Sequence, residues 1–170
     1  MKQQAIEKIL DYLTSIPAWY LATVEDDQPH VRPFSFAAAQ DERIWFCTAT
    51  TKDVYRELER NPKFELTAWK PGSGWIILRG RADLDDRVGD DIRRAGYEHL
   101  VGLGECYDGP DDPTLTFFSF TDAEAWVCDI DGSWVPIELQ DAGGATAQQD
   151  GGNPQTACAA QRPMRSFTIH

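Results

Sequence analysis

Two short stretches carry the side chains best suited to grip an anion: Arg32-Pro33-Phe34-Ser35, and the run from Phe46 through Cys47, Thr48, Ala49, Thr50 and Thr51 to Lys52, with Asn61-Pro62 one short helix further on. Arginine offers a planar fork of donors, serine and threonine offer hydroxyls, and lysine supplies a compact point charge. If Thr51 and Lys52 open a helix, the N–H groups of its first turn and the positive end of its dipole point the same way, and the whole becomes a seat for a phosphate. Such a seat has to be local. With 16 basic against 28 acidic side chains the formal charge is −12, a field that repels polyanions and argues against general nucleic-acid binding.

The familiar catalytic signatures are missing. There is no G-x-S-x-G elbow, no phosphate-binding P-loop and no G-x-G-x-x-G; Gly102-Leu103-Gly104 is a fragment in a loop. Cys47, Cys106, Cys128 and Cys158 form no C-x-x-C pair, and His30, His99 and His170 are too scattered to complete a zinc site, so reduced thiols and no metal are expected. The opening MKQQAIEKILDYLTSIP lacks the apolar run of a signal peptide, and nowhere are there about 18 consecutive apolar residues. These features predict a cytoplasmic protein with no membrane partner.

The elements that must position the anion seat are mostly strands. Ile6, Ile9, Leu10 and Leu13 fall on one face of an opening helix that ends before Pro17 and should plug or cover a barrel. Residues 18–25 and 29–39 are predicted as a hairpin around Asp26-Asp27-Gln28. A turn at 40–42 then leads into 43–49, so that three antiparallel strands succeed one another as a meander. On this reading the strand bearing Arg32 lies beside the strand ending at Thr48. Thr51 caps a two-turn helix whose Val54, Tyr55 and Leu58 share a face. Strands follow at 63–70 and 75–83, a helix at about 86–100, two aromatic-rich runs at 115–120 and 123–130, and a last strand at 134–139. The pattern predicts a mainly β domain over residues 1–140, an antiparallel six- to seven-stranded barrel with peripheral helices. Residues 141–170, rich in Gly, Ala, Gln, Thr and Asp, are predicted to be a flexible tail, with 165–170 a candidate extra strand.

In this order the pieces resemble the pyridoxamine 5'-phosphate oxidase-related family of FMN-binding split barrels, over roughly residues 1–139. The resemblance implies that FMN phosphate and ribityl contacts fall on Arg32, Pro33, Phe34, Ser35, Thr48, Thr51 and Lys52. It further implies a homodimer with two FMN sites at the subunit interface, and a role for Trp126 as an aromatic wall against a partner subunit's isoalloxazine. The sequence departs from the true pyridoxamine phosphate oxidases, which carry Arg-Gln where this chain has Trp75-Ile76 and an Arg- and His-bearing C-terminal motif where it has WVPIEL. That argues against vitamin B6 oxidation. The histidine that the nitroimidazole-reductase branch carries near Cys47 and Thr48 is also absent.

The reading that follows is an FMN-dependent oxidoreductase acting on a small molecule, with NAD(P)H or another donor and no assigned catalytic side chain. A non-catalytic FMN protein of electron transfer or stress response is the alternative, as is a split barrel holding haem or deazaflavin F420. Cys47, out of phase with Thr48 along its strand, should pack as a small apolar group. His30, on the same strand face as Arg32, could donate near the flavin or be a partly exposed structural histidine, and Arg79 and Arg81 read as surface ion pairs or an anion site.

Overall fold

The computed structural model describes residues 1–101 and 106–140, so the expectations for 141–170 lie outside the described residues. The elements run α1 (Gln3–Thr14), β1 (Trp19–Glu25), β2 (Gln28–Phe34), β3 (Ala38–Gln40), β4 (Arg43–Ala49), α2 (Asp53–Arg60), β5 (Lys63–Lys70), β6 (Gly74–Asp83), α3 (Asp90–Val101), β7 (Leu115–Cys128) and β8 (Trp134–Ile137). The eight strands form one antiparallel sheet in the order β2-β1-β5-β6-β7-β4-β3, with β8 also on β7. This is a split β-barrel: the antiparallel barrel that the sequence pattern predicts, of the split type that the family resemblance implies.

Strand period sets the inside. Along β5 burial alternates strictly, with Phe64, Leu66 and Ala68 inward, and along β6 Ile76 and Leu78 face the same interior. Ile6, Ile9 and Leu13 of α1 complete that core beside Trp19, Leu21, Ile44 and Phe46. The opening helix is therefore the barrel's plug, as expected. Strand β4 is buried on both faces because α3 covers its other side: Trp45 and Cys47 join Phe36, Leu115 and Phe117 in a second cluster packed against Ile92, Tyr97 and Leu100. Asp86 ties this layer together, its Oδ2 accepting from Arg93 at 2.8 Å and from the Phe117 N–H at 3.1 Å.

The meander is not what forms. β2 pairs only with β1 along the sheet, in a register that sets Arg32 opposite Leu21, whereas β4 pairs with β3 and β7. The reason lies in two prolines. Pro29 and Pro33 cannot donate to a ladder, which confines β2 to an edge. The predicted strand 29–39 accordingly breaks at Ser35-Phe36-Ala37, and the chain crosses there from one edge of the sheet to the other. Three smaller differences follow the local chemistry. The two aromatic runs are one long strand, β7, with a bulge opposite Arg79 to Arg81. Helix α3 begins at Asp90 rather than 86, because Asp85 and Val88 are held in turns by the carboxylates of Asp83 and Asp86. The strand count rises to eight among the described residues. No helix among them is long and apolar enough to cross a membrane.

Candidate functional site

A cleft of about 280 Å³ opens where the edge strand β2 passes the end of β4 and the start of α2. Its lining includes Arg32, Pro33, Phe34, Ser35, Thr48 and Lys52. Arg32 and Thr48 thus meet across the seam between two sheet edges, not on neighbouring strands as the sequence reading had them. Phe34 forms part of an aromatic floor, stacked on Trp19 at 5.1 Å between ring centroids, with Phe118 edge-on at 6.2 Å.

The polar groups of the cleft differ in how far their needs are met. Thr48 is 2% exposed, and its Oγ1 is fully enclosed with no hydrogen-bond partner among the described residues. An unpaired buried hydroxyl costs about 1–3 kcal/mol, so this is the least satisfied polar group bordering the cleft. The exposed Lys52 ammonium makes no ion pair with another described residue. Ser35 Oγ is 2.8 Å from His99 Nε2 of α3, whose ring lies 5.8 Å from that of Phe36.

Arg32 is far more committed. Its Nη2 donates to Glu57 Oε2 at 2.6 Å, and its Nη1 donates to Thr23 Oγ1 and, at 3.3 Å, to the His30 carbonyl. Glu57 is buried and also accepts from Thr23 Oγ1 and lies 2.6 Å from His30 Nδ1. Burial pushes the Glu57 carboxyl up, but the hydrogen bonds from Thr23, His30 and Arg32, with the Arg32 charge, outweigh it and hold it below the ordinary value. Glu25, His30 and Glu57 bring possible metal-ligand atoms within 4.8 Å of one another. Arg32 and Arg60 already compensate the two carboxylates, so the cluster is a closed charge network.

Sequence reasoning missed Glu57, although a signal was present: an acid stands at i+3 from Val54 and beside Leu58, inside the apolar stripe of α2. Two site expectations fall elsewhere. Thr51 does not cap α2; the N-cap is Lys52, without a side-chain cap bond, and Thr51 is exposed with its carbonyl accepting from Arg56. The backbone turns one residue later than the threonine would need. Trp126 lies on the outer face of β7 beneath Arg79, whose guanidinium is 4.8 Å from its ring centroid, and lines a separate groove with Pro136. Arg79 also pairs with Glu124 at 2.7 Å, which accounts for it as a surface ion pair.

Cys47 borders the cleft while packing in the second cluster, as a small apolar group should. Burial pushes its thiol up to about 12, an effect the nearby Lys52 charge only partly offsets. It stays protonated at neutral pH and is no nucleophile. A larger groove of about 420 Å³ runs past Lys63, Arg79 and Arg81. Its three cations share the groove with Glu65, Asp122 and Glu124, Arg79 pairing with Glu124, and no described side chain lining it has a buried unpaired polar atom. The smaller cleft is therefore the stronger site.

The sequence pattern of the family described as pyridoxamine 5'-phosphate oxidase matches residues 5–128, from the plug helix to the end of β7. The chain belongs to that family. Among the relatives of this pyridoxamine 5'-phosphate oxidase-related chain is General stress protein 26 of Bacillus subtilis (strain 168). It is 26% identical over 149 residues, covering 82% of this chain and 99% of the relative. A solved NimC/NimA family protein from Clostridium acetobutylicum shares the fold at a TM-score of 0.68 and 28% identity, over 79% of this chain and 92% of that one. An FMN binding protein from Nostoc punctiforme, 13% identical, superposes at a TM-score of 0.51 over 80% and 96% of the two chains.

Proposed function

We propose that the cleft holds FMN and that the protein is an FMN-dependent oxidoreductase acting on a small molecule with NAD(P)H or another donor. The observation that carries this reading is the orphaned Thr48 hydroxyl, enclosed in a cleft that also presents Lys52, Ser35 and Arg32. Those groups fit a phosphorylated polyol: a cation without an ion pair among the described residues, hydroxyls, and two guanidinium N–H donors of Arg32 not taken by acceptors among the described residues. Lys52 and Arg32 would hold the phosphate, Thr48 and Ser35 would bond ribityl or phosphate oxygens, and the Pro33-Phe34 stretch would supply apolar contact. Bound FMN supplies two-electron chemistry, and the protein's part is to orient it and exclude water. No side chain need then act as a nucleophile, in keeping with the protonated Cys47.

A second copy of the chain is the proposed partner, in a cytoplasmic homodimer. The outer face of β1, β2 and β5 leaves Tyr20 51%, Val31 65% and Trp69 66% exposed, and the strand register sets all three on one side of the sheet. Apolar side chains grouped in this way mark an interaction surface. Trp126, remote from the cleft of its own chain, would meet a flavin only across such an interface.

The test is an absorption titration of the purified protein with FMN, read beside its elution mass. Saturation at one FMN per chain on a dimer is expected, and replacing both Lys52 and Arg32 by alanine should weaken binding more than ten-fold, about 1.4 kcal/mol. Unchanged affinity in that double variant would remove the phosphate assignment. Haem or deazaflavin F420 would reveal itself in the same visible spectrum. The likeness to General stress protein 26 favours one second reading, a non-catalytic FMN protein of stress response or electron transfer. Bleaching of the flavin by NAD(P)H, followed by reoxidation with an added acceptor, separates turnover from storage.

A further inference from the structure

The two cations of the cleft are not equivalent. Lys52 is exposed and makes no ion pair with a described residue, whereas Arg32 arrives already neutralised: its Nη2 is 2.6 Å from Glu57 Oε2, and only 1% of the Glu57 side chain is exposed. Of the five N–H donors on a guanidinium, three are taken by Glu57, Thr23 and the His30 carbonyl. An incoming phosphate therefore finds at most two donors of Arg32 and little of its charge, because a carboxylate that water cannot screen stands directly behind it. Glu57 is itself fixed by Thr23 and His30, so it cannot swing away to solvent.

We propose that Glu57 is a built-in counter-anion to Arg32, competing with a ligand's phosphate for the guanidinium and setting how strongly the cleft discriminates a phosphorylated from an unphosphorylated flavin. This rests on the FMN reading and deepens it. Lys52 then carries nearly all of the charge recognition, and Arg32 contributes geometry. The arrangement suits a cofactor held by shape, hydroxyl contacts and one lysine, and it keeps free inorganic phosphate from filling the seat. Glu57 touches neither flavin nor substrate; it acts through Arg32 as a specificity-determining residue.

Glu57→Gln keeps the shape and the hydrogen-bonding oxygen while removing the charge. The affinity of this variant for FMN and for riboflavin, measured by flavin fluorescence quenching beside the native protein, should show the FMN-to-riboflavin ratio rising about ten-fold with riboflavin itself unchanged. A ratio that stays the same or falls overturns the proposal, since Glu57 would then only hold Arg32 in place. Lys52→Met, a change at an exposed side chain, gives an answer even if Glu57→Gln does not fold. The ratio should collapse to within two-fold of unity, and discrimination persisting above ten-fold would show that Arg32 retains its charge. If the native protein binds neither flavin, the FMN reading fails on its own. Titration with inorganic phosphate, followed by the shift in Tm, still decides on Glu57: Glu57→Gln should respond at a lower phosphate concentration than the native chain, and an identical response overturns the competition.

Discussion

Arg32 of β2 and Glu57 of α2 stand with Nη2 and Oε2 2.6 Å apart, and it is the acid that is buried, at 1% of its side chain, while the arginine keeps 23% open at the cleft. The pair pins the short helix α2 to the edge strand, and Thr23 and His30 close the network around the carboxylate.

That network should be visible in acid. The folded-state carboxyl of Glu57 lies below its ordinary value of 4.5, and that of Asp83, despite the opposing push of burial, is held below 3.8 by Arg43, the Asp85 N–H and Arg87. In the acid range the unfolded chain binds more protons, so stability rises with pH there. It is fully present above the ordinary values and is lost as pH falls through the depressed folded ones. Urea midpoints taken from pH 7 down to pH 3 should fall, and Glu57→Gln should flatten the curve; parallel curves would show that Glu57 is not coupled to folding.

Truncation at the same residue is a different experiment. Glu57→Ala leaves Arg32 half-buried without its anion and frees the Thr23 hydroxyl, and breaking such a pair costs about 3 kcal/mol. Urea unfolding at pH 7 measures it, and a loss below about 1 kcal/mol would mean that the pair behaves as a surface contact.

Thr48→Val should move two quantities in opposite directions. The unpaired buried Oγ1 becomes a methyl of similar shape, so the ligand-free protein should gain about 1 kcal/mol. FMN affinity should fall about five-fold, the equivalent of one hydrogen bond of about 1 kcal/mol. A ligand-free protein destabilised by the change would mean that the hydroxyl already has a partner.

Gly96 is where α3 meets the second cluster. A Cβ there would lie 2.7 Å from two ring atoms of the buried Phe117. Gly96→Ala would add about 1 kcal/mol of helix propensity on an open helix face, but the overlap should reverse the sign and leave a net loss of about 1 kcal/mol. A rise in Tm would show that α3 does not pack this closely.

Thiol labelling separates the cysteines. With Cys47 buried and pushed up to about 12, about one molecule in ten thousand carries the thiolate at pH 8. Exposed Cys106 should alkylate with iodoacetamide under native conditions while Cys47 does not, as read by peptide mass mapping. Equal rates would place Cys47 at an open surface.

Much of the fold was written locally. The period of two along 63–70, the i, i+3, i+4 spacing of Ile6, Ile9, Leu10 and Leu13, and the turn residues between them specify elements whatever their neighbours, because side-chain direction is fixed by the backbone's own repeat. Part of the cleft's lining was legible for the same reason, as arginine, threonine and lysine gathered at strand ends and a helix start. Pro29 and Pro33 also carried the edge position of β2, since a missing N–H is a property of the residue. What the sequence alone could not decide was adjacency between distant segments. Whether Arg32 meets Thr48 as a strand neighbour or across an open seam, and whether its charge is free or spent on Glu57, depends on where β2 and α2 are carried by the rest of the barrel. Those contacts span 25 residues between Arg32 and Glu57. They exist only because burying the aromatic core brings the two segments together, and no local spacing records that.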